Sequence, residues 1–130
     1  RLSADRGRNV IGGSIFMNNL DLTHPLGYGY QDSKLPVFRK GTVFMEMPKN
    51  PYAAPLVYTQ DPLVSGYSSK ENVEKASKSA AIVVSGMGRG RVIAMADNPN
   101  FRAFWYGTNK LMANSIFFGQ TISGNATEKK

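Results

Sequence analysis

The chain of 130 residues has no cysteine and a single histidine, His24. Without cysteine it can form no disulfide, no thiolate zinc site and no cysteine nucleophile. A zinc site needs three or four ligands, and a Ser-His-Asp triad would have to be built around His24, although no G-x-S-x-G motif is present. We therefore expect His24 to have a structural or hydrogen-bonding role, and the segment to hold no catalytic centre and no metal of its own.

Long hydrophobic runs and blocks of one charge are also missing. No apolar run approaches the ~20 residues that cross a bilayer, so we expect no membrane span. The net charge is +7, yet seven Lys and Arg residues fall in residues 1–50 and nine in 51–130, without a basic block. This scatter disfavours nucleic-acid binding, which uses a basic platform with interleaved aromatic residues. The charge still leaves open an attraction to some anionic polymer.

What the chain does contain suits one packed domain. Its 14 aromatic residues, seven Phe, six Tyr and one Trp, are enough for a core. The chain begins at Arg1 rather than Met, so we expect it to be a piece of something longer. Composition divides it into a linker or the tail of a preceding element (1–9), a single domain (10–122) and a solvated tail (123–130).

Local patterns predict more strands than helices. Ser69 or Ser68 can cap a short helix, and the glycine-rich "GMGRG" is typical of a turn between two strands. Lys40-Gly41 lies between two β-rich runs and predicts a hairpin. The predicted strands are 12–22, 37–39, 42–45, 56–59, 81–85 and 91–96, and the predicted helices are a short one in 69–80 and one that follows "DNPN" and ends at Gly119.

The aromatic stretch from Asp97 to Gly119 is predicted to be mainly a core helix rather than an active site. Its apolar face has two stripes and its polar face one. The apolar stripes are Phe104, Leu111, Phe118 and Trp105, Met112, Ile116; the polar stripe is Gly107, Lys110, Asn114.

Polar residues remain at the junction between the last predicted strand and this helix. Open α/β sheets usually place ligands at such junctions, so Asp97 and Arg102 are candidates for ligand contact. The loop 23–34 adds His24, Tyr28 and Tyr30, and these five residues form the predicted ligand-binding site. The alternative is structural: helix capping with an Asp97–Arg102 pair, and ordinary packing of the loop.

The order of three motifs resembles a known family. These are "GGSIFMNNLDLTHPLGYGY", then "LPVFRKGTVFM", then "AAIVVSGMGRGRVIAMADNPNFRAFWYGTNKLMANSIFFG". Together they resemble the C-terminal region of large bacterial zinc carboxypeptidases of the carboxypeptidase A type. In those proteins a peptidase domain is followed by a domain similar to the class I glutamine amidotransferases. The resemblance covers roughly residues 10–122.

This resemblance implies an α/β fold of flavodoxin-like, amidotransferase-like type. We expect a mixed β-sheet with flanking helices, β-rich, with a long C-terminal helix, of which this chain holds the later part. Amidotransferases use a Cys nucleophile, and the carboxypeptidases bind zinc through a His-x-x-Glu pair and a distant His; neither set is present here. No catalytic residue of either family can therefore be assigned to this chain.

The function implied is that of a non-catalytic accessory domain of a secreted or periplasmic protein. Its partner would be the peptidase domain of its own parent chain, which would hold the zinc, and it could help present a peptide or cell-wall substrate. The alternative is a free-standing binding module for an anionic polymer or a small ligand.

Overall fold

The computed structural model of the protein describes residues 8–100 and 106–128. Six strands form one sheet, and two α-helices are assigned within these ranges. The strands are β1 (Ile11–Leu20), β2 (Lys34–Gly41), β3 (Met45–Glu46), β4 (Leu56–Gly66), β5 (Ser79–Met87) and β6 (Gly90–Met95); the helices are α1 (Lys70–Ser77) and α2 (Tyr106–Phe118). Short 3-10 turns occupy Pro25–Gly27, Pro51–Ala53, Gly119–Thr121 and Gly124–Ala126.

The sheet is antiparallel throughout and curls into a half-barrel. Its order is β2-β1-β4-β5-β3, and β6 also pairs with β5. The expectation of a flavodoxin-like α/β fold with a mixed sheet and a long C-terminal helix is wrong, because the structure is 41% strand and 30% helical and α2 has 13 residues. Parallel pairing needs crossover connections, usually helical. Here a two-residue turn joins β5 to β6, and the β1–β2 loop contains only a single 3-10 turn.

Several locally encoded elements are confirmed. β1, β5 and β6 lie where the sequence predicts strands, and β5 and β6 form the predicted hairpin, in register from Met87↔Gly90 to Ile82↔Met95. β4 begins at the predicted residue but continues through Asp61-Pro62 to Gly66, beyond the predicted end at 59. Gly88, with φ of 57°, supplies the left-handed residue in its turn. α1 begins after Ser69, whose hydroxyl accepts a hydrogen bond from the Asn72 amide at 3.2 Å.

The hairpin predicted around Lys40-Gly41 is wrong. β2 pairs with β1, whereas β3 pairs with β5 through Met45↔Ala80. In β2 every second side chain is buried, namely Leu35, Val37 and Arg39. β1 is longer than β3 and pairs with β2 from Lys34 to Gly41. Tertiary pairing therefore overrides the local turn signal at Lys40-Gly41.

The core lies between the concave side of the sheet and the elements that close it. β1, β2, β4 and β5 supply most of the buried apolar side chains, the turn after β1 supplies Leu26, and α2 supplies Leu111. The cluster is Ile11, Phe16, Leu20, Leu26, Leu35, Val37, Leu56, Tyr58, Ala76, Ala81, Ile82, Val84, Leu111 and Ile122.

The residues that follow α2 also pack on the sheet. The Glu128 amide donates to the Val84 carbonyl at 2.8 Å, and the Gly86 amide donates to the Glu128 carbonyl at 3.1 Å. Thr127 is buried. Thr127 and Glu128 therefore lie against β5, while residues 123–125 are exposed. The division of the chain into domains, including the solvated tail, stays a prediction. Neither helix described here is long and apolar enough to cross a membrane.

Candidate functional site

A buried polar network joins Arg39 on β2, Tyr58 on β4 and Asp97 after β6. Arg39 Nη1 donates to Tyr58 Oη at 2.7 Å and to Asp97 Oδ1 at 2.7 Å. Tyr58 Oη donates to Asp97 Oδ2, and Arg39 Nη2 donates to the Val43 carbonyl. The guanidinium also stacks on the Phe44 ring, 4.4 Å from its centroid. This network links β2, β4 and the end of β6 through charge-assisted hydrogen bonds.

Burial dominates the electrostatics of this network. The side chains of Arg39 and Asp97 are 1% and 5% exposed. Burial raises the pKa of Asp97, and the Arg39 charge and the Tyr58 hydrogen bond oppose that rise. Burial, with the neighbouring Asp97 charge, also raises the pKa of Tyr58. Tyr58 therefore stays protonated and acts as a hydrogen-bond donor, so the network has the chemistry of a structural brace.

His24 lies at a second place, the turn between β1 and β2. It caps the 3-10 turn Pro25–Gly27: the Leu26 amide donates to His24 Nδ1 at 3.2 Å. Because a neutral imidazole has one donor and one acceptor, this bond places its proton on Nε2. Nε2 is buried and makes no hydrogen bond of normal geometry within the described part of the chain, although the Ala126 backbone lies close enough to favour a proton on the ring. Burial lowers the pKa of His24, against the opposing effects of Asp21 and the Ala126 backbone.

His24 lines an open cavity of about 350 Å³, which we call the His24 cleft. Its walls come from the β1–β2 turn, the 3-10 turn at Pro51–Ala53 and the segment after α2. The lining residues are Asp21, Thr23, His24, Pro25, Tyr52, Thr121, Ser123, Asn125 and Ala126. Asn50 fixes this arrangement, since its Nδ2 donates to the Asn125 carbonyl at 2.7 Å and to the Thr127 carbonyl at 3.2 Å.

Tyr28 and Tyr30 contact α2 instead of the His24 cleft. The Tyr30 hydroxyl donates to the Gly107 carbonyl at 2.8 Å, and burial raises the pKa of Tyr30 to about 12. The Tyr28 ring packs on Phe118 at 5.0 Å between centroids. Asn114 Nδ2 then donates to the carbonyls of Leu26 and Tyr28 at 2.8 and 2.9 Å. These contacts fasten the turn to the helix.

The five residues of the predicted site are thus divided. His24 lines the cleft, Tyr28 and Tyr30 pack on α2, and Asp97 belongs to the buried Arg39–Tyr58 network. Asp97 forms an ion pair with Arg39. The predicted Asp97–Arg102 pair stays a prediction, because Arg102 lies outside the described residues.

Arg39, Tyr52 and Asn125 lie outside the predicted five-residue site. Arg39 had a usable signal, because it continues the every-second-residue pattern of Leu35 and Val37 on a strand with a buried face. Tyr52 and Asn125 had none, because only the folded chain brings their distant segments together at the cleft.

The outer side of α2 carries exposed apolar side chains. Met112, Ile116 and Phe117 are 37%, 67% and 77% exposed, whereas Asn114 is 4% exposed. The predicted helix faces are therefore wrong at Met112, Ile116 and Asn114, because Asn114 turns inward to bond the carbonyls of Leu26 and Tyr28, whereas Leu111 is buried as predicted. The predicted apolar positions Phe104 and Trp105 lie outside the described residues. We call Met112, Ile116 and Phe117 the α2 ridge.

Comparison with protein-family models, with curated proteins and with solved structures finds no significant match for this chain. Within residues 8–100 and 106–128 no group of three or more His, Asp and Glu side chains is placed to hold a metal ion.

Proposed function

We propose that this segment is a non-catalytic accessory domain of a secreted or periplasmic zinc carboxypeptidase-like protein. It packs on the peptidase domain of its own parent chain through the α2 ridge. The observation that carries the proposal is the exposure of Ile116 and Phe117, 67% and 77%, on a helix whose opposite side is buried. Contiguous exposed apolar side chains of this kind mark protein interaction surfaces.

The surroundings of the ridge suit a protein partner. A groove of about 550 Å³ runs beside Ile116 and is lined by Arg89 from the β5–β6 turn and Arg91 from β6. Tyr28, 67% exposed, packs on Phe118 at the end of the same helix. An apolar centre with a basic rim matches the usual anatomy of a protein interface and favours a partner surface that carries carboxylates.

The motif order supports the choice of parent. The stretch "GRGRVIAMADNPNFRAFWYGTNKLMANSIFFG" resembles the C-terminal end of the large bacterial carboxypeptidases and includes the whole of the α2 ridge. Zinc would belong to the His-x-x-Glu pair and the distant His of the peptidase domain, outside this segment. The flavodoxin-like sheet that the same resemblance implies is contradicted by the antiparallel structure and is no part of this proposal.

Association measurements with the parent's peptidase domain test this proposal. The two parts are expressed separately and mixed, and complex formation is followed by sedimentation velocity. We expect the wild-type segment to associate, and the pair Ile116→Asp and Phe117→Asp to abolish association. Val64→Asp, at a position 53% exposed on β4, is the matched control and should associate normally. If the ridge variant associates with the peptidase domain as strongly as the wild-type segment does, the proposal is overturned.

One observation favours a second candidate, binding of an anionic polymer. Arg89 and Arg91 line the same groove, in a chain with net charge +7. Such binding would release counterions and weaken steeply with salt. Retention on immobilised heparin at low salt, lost with the pair Arg89→Ser and Arg91→Ser, is the expected result; absence of retention at low salt would exclude it.

A further inference from the structure

The His24 cleft has the features of a ligand site that is independent of the α2 ridge. His24 is 4% exposed, and its Nε2 makes no hydrogen bond of normal geometry to the described residues. A buried polar group without a partner costs free energy comparable to a lost hydrogen bond. Since Nδ1 is occupied by the Leu26 amide, Nε2 carries the proton and is a donor. A ligand that brings an acceptor to Nε2 removes this cost.

The walls of the cleft offer both hydrogen-bonding groups and apolar surface. Hydroxyls come from Thr23, Thr121 and Ser123, and an amide comes from Asn125. The Tyr52 ring, 67% exposed, stands at the edge of the cleft. An aromatic ring beside several small polar groups suits a ligand with both C–H faces and hydroxyls, because the ring packs on the C–H face while the polar groups bond the hydroxyls.

Charge narrows the ligand class further. Asp21 is the charged residue among those that line the cleft, and the lining residues include no lysine or arginine. A carboxylate or phosphate would be repelled by Asp21 and would meet no cation, because burial keeps His24 neutral. A neutral ligand that can donate as well as accept hydrogen bonds avoids both costs.

We propose that the His24 cleft binds a neutral polyhydroxylated ligand, a single sugar ring, with His24 Nε2 donating to one of its oxygen atoms. The cavity of about 350 Å³ lies at the lower end of the range of ligand pockets, about 300–1,000 Å³, which fits one ring rather than a chain. The Tyr52 ring covers the apolar face of the sugar, and Asn125 and the hydroxyls of Thr23 and Ser123 contact its edge.

Saturation-transfer NMR with glucose and glucuronate on the 130-residue chain tests this proposal. The two probes share a ring and differ by a carboxylate, so their comparison tests the charge argument. We expect saturable binding of glucose and weaker binding of glucuronate. Equal or tighter binding of glucuronate would overturn the neutral-ligand assignment, and no saturable binding of either probe would overturn the site.

Point variants test whether glucose binds in the His24 cleft. His24→Asn keeps an acceptor for the Leu26 amide but loses the Nε2 donor, and Tyr52→Ala removes the ring from an exposed position. Each is expected to weaken glucose binding about tenfold, the equivalent of one hydrogen bond. Tyr67→Ala, at a tyrosine that is 82% exposed elsewhere, is the control and should bind normally. Unchanged binding in Tyr52→Ala overturns the proposal even if His24→Asn fails to fold.

Discussion

Arg39 and Asp97 are 58 positions apart in the sequence and form an ion pair at 2.7 Å in the interior. Arg39 lies near the end of β2, and Asp97 lies just after β6. Because β2 is an edge of the sheet and β6 pairs with β5, the pair connects parts of the fold that share no strand pairing. Tyr58, on β4 between them, bonds to both.

Removal of the cation should be strongly destabilising. Arg39→Met leaves the Asp97 carboxylate buried without its partner, so we expect the free energy of unfolding to fall by about 3–5 kcal/mol. The double variant Arg39→Met with Asp97→Asn should recover part of this loss, since no unpaired charge remains. Urea unfolding at neutral pH measures both. Lys40→Met, at an exposed neighbour on the same strand, should stay within about 0.5 kcal/mol; an equal loss in that variant would contradict the account.

The tyrosine in this network should contribute less. Tyr58→Phe keeps the ring, which packs edge-on against Phe16 at 5.9 Å, and removes only the hydroxyl. It leaves one hydrogen bond to Asp97 and one from Arg39 unmade, so we expect a loss of about 1–3 kcal/mol, measured by the same unfolding curves. A loss as large as that of Arg39→Met would show that the Tyr58 hydroxyl matters as much as the Arg39 charge, which would contradict this ranking.

Stability should depend on pH through His24. Its folded pKa is lowered from the ordinary 6.5, so the unfolded chain binds a proton that the folded chain does not. The contribution is fully present above about pH 6.5 and is lost as the pH falls through the folded pKa. In His24→Asn this part of the pH profile should be flat. If the free energy of unfolding changes with pH equally in the wild type and in His24→Asn below about pH 6.5, the burial of neutral His24 is contradicted.

The amide of Asn114 should hold the turn that carries His24. Asn114→Ala leaves the carbonyls of Leu26 and Tyr28 without this donor, and we expect a loss of about 1–3 kcal/mol. Amide hydrogen exchange should also quicken at Gly27 and Tyr30, whose N–H groups bond within the turn. Lys110→Ala is the control: its contact with the Gly29 carbonyl is exposed, so its effect should be within about 0.5 kcal/mol.

Close backbone approach requires glycine at position 27. A Cβ there would lie 2.6 Å from the Asp21 carbonyl oxygen and 3.1 Å from Leu22 Cα. Gly27→Ala is therefore expected to cost about 1–3 kcal/mol through overpacking. At Gly12 a Cβ meets nothing within 4 Å, so Gly12→Ala should be neutral or slightly stabilising in thermal unfolding. Equal melting temperatures for the two variants would contradict this packing.

The sequence predicts those parts of the fold that depend on neighbouring residues. The β5–β6 hairpin follows from its glycine turn, and α1 follows from the Ser69 cap. The partner of β2 does not follow from local residues, since choosing β1 over the run after Gly41 depends on the burial of Leu35, Val37 and Arg39. The flavodoxin-like expectation fails because the order of motifs does not determine how the strands pair. The motif order implied a mixed sheet, but connections such as the two-residue turn between β5 and β6 lead to antiparallel pairs.

The candidate site was predictable only in part, for the same physical reason. His24 was identified because it is the one histidine, and it does line the His24 cleft of about 350 Å³. Its grouping with Asp97 relied on the strand ends of an open α/β sheet, an architecture that the structure does not have. The contributions of Tyr52 and Asn125 depend on long-range folding and leave no local pattern in the sequence.

Mass spectrometry of the natural protein that contains this segment tests the accessory-domain proposal most directly. The account predicts one chain much heavier than the 14.2 kDa of the segment, whose peptides include a His-x-x-Glu pair and a later His as well as "FWYGTNK". A natural protein of about 14.2 kDa, or a longer one without those zinc ligands, would contradict it.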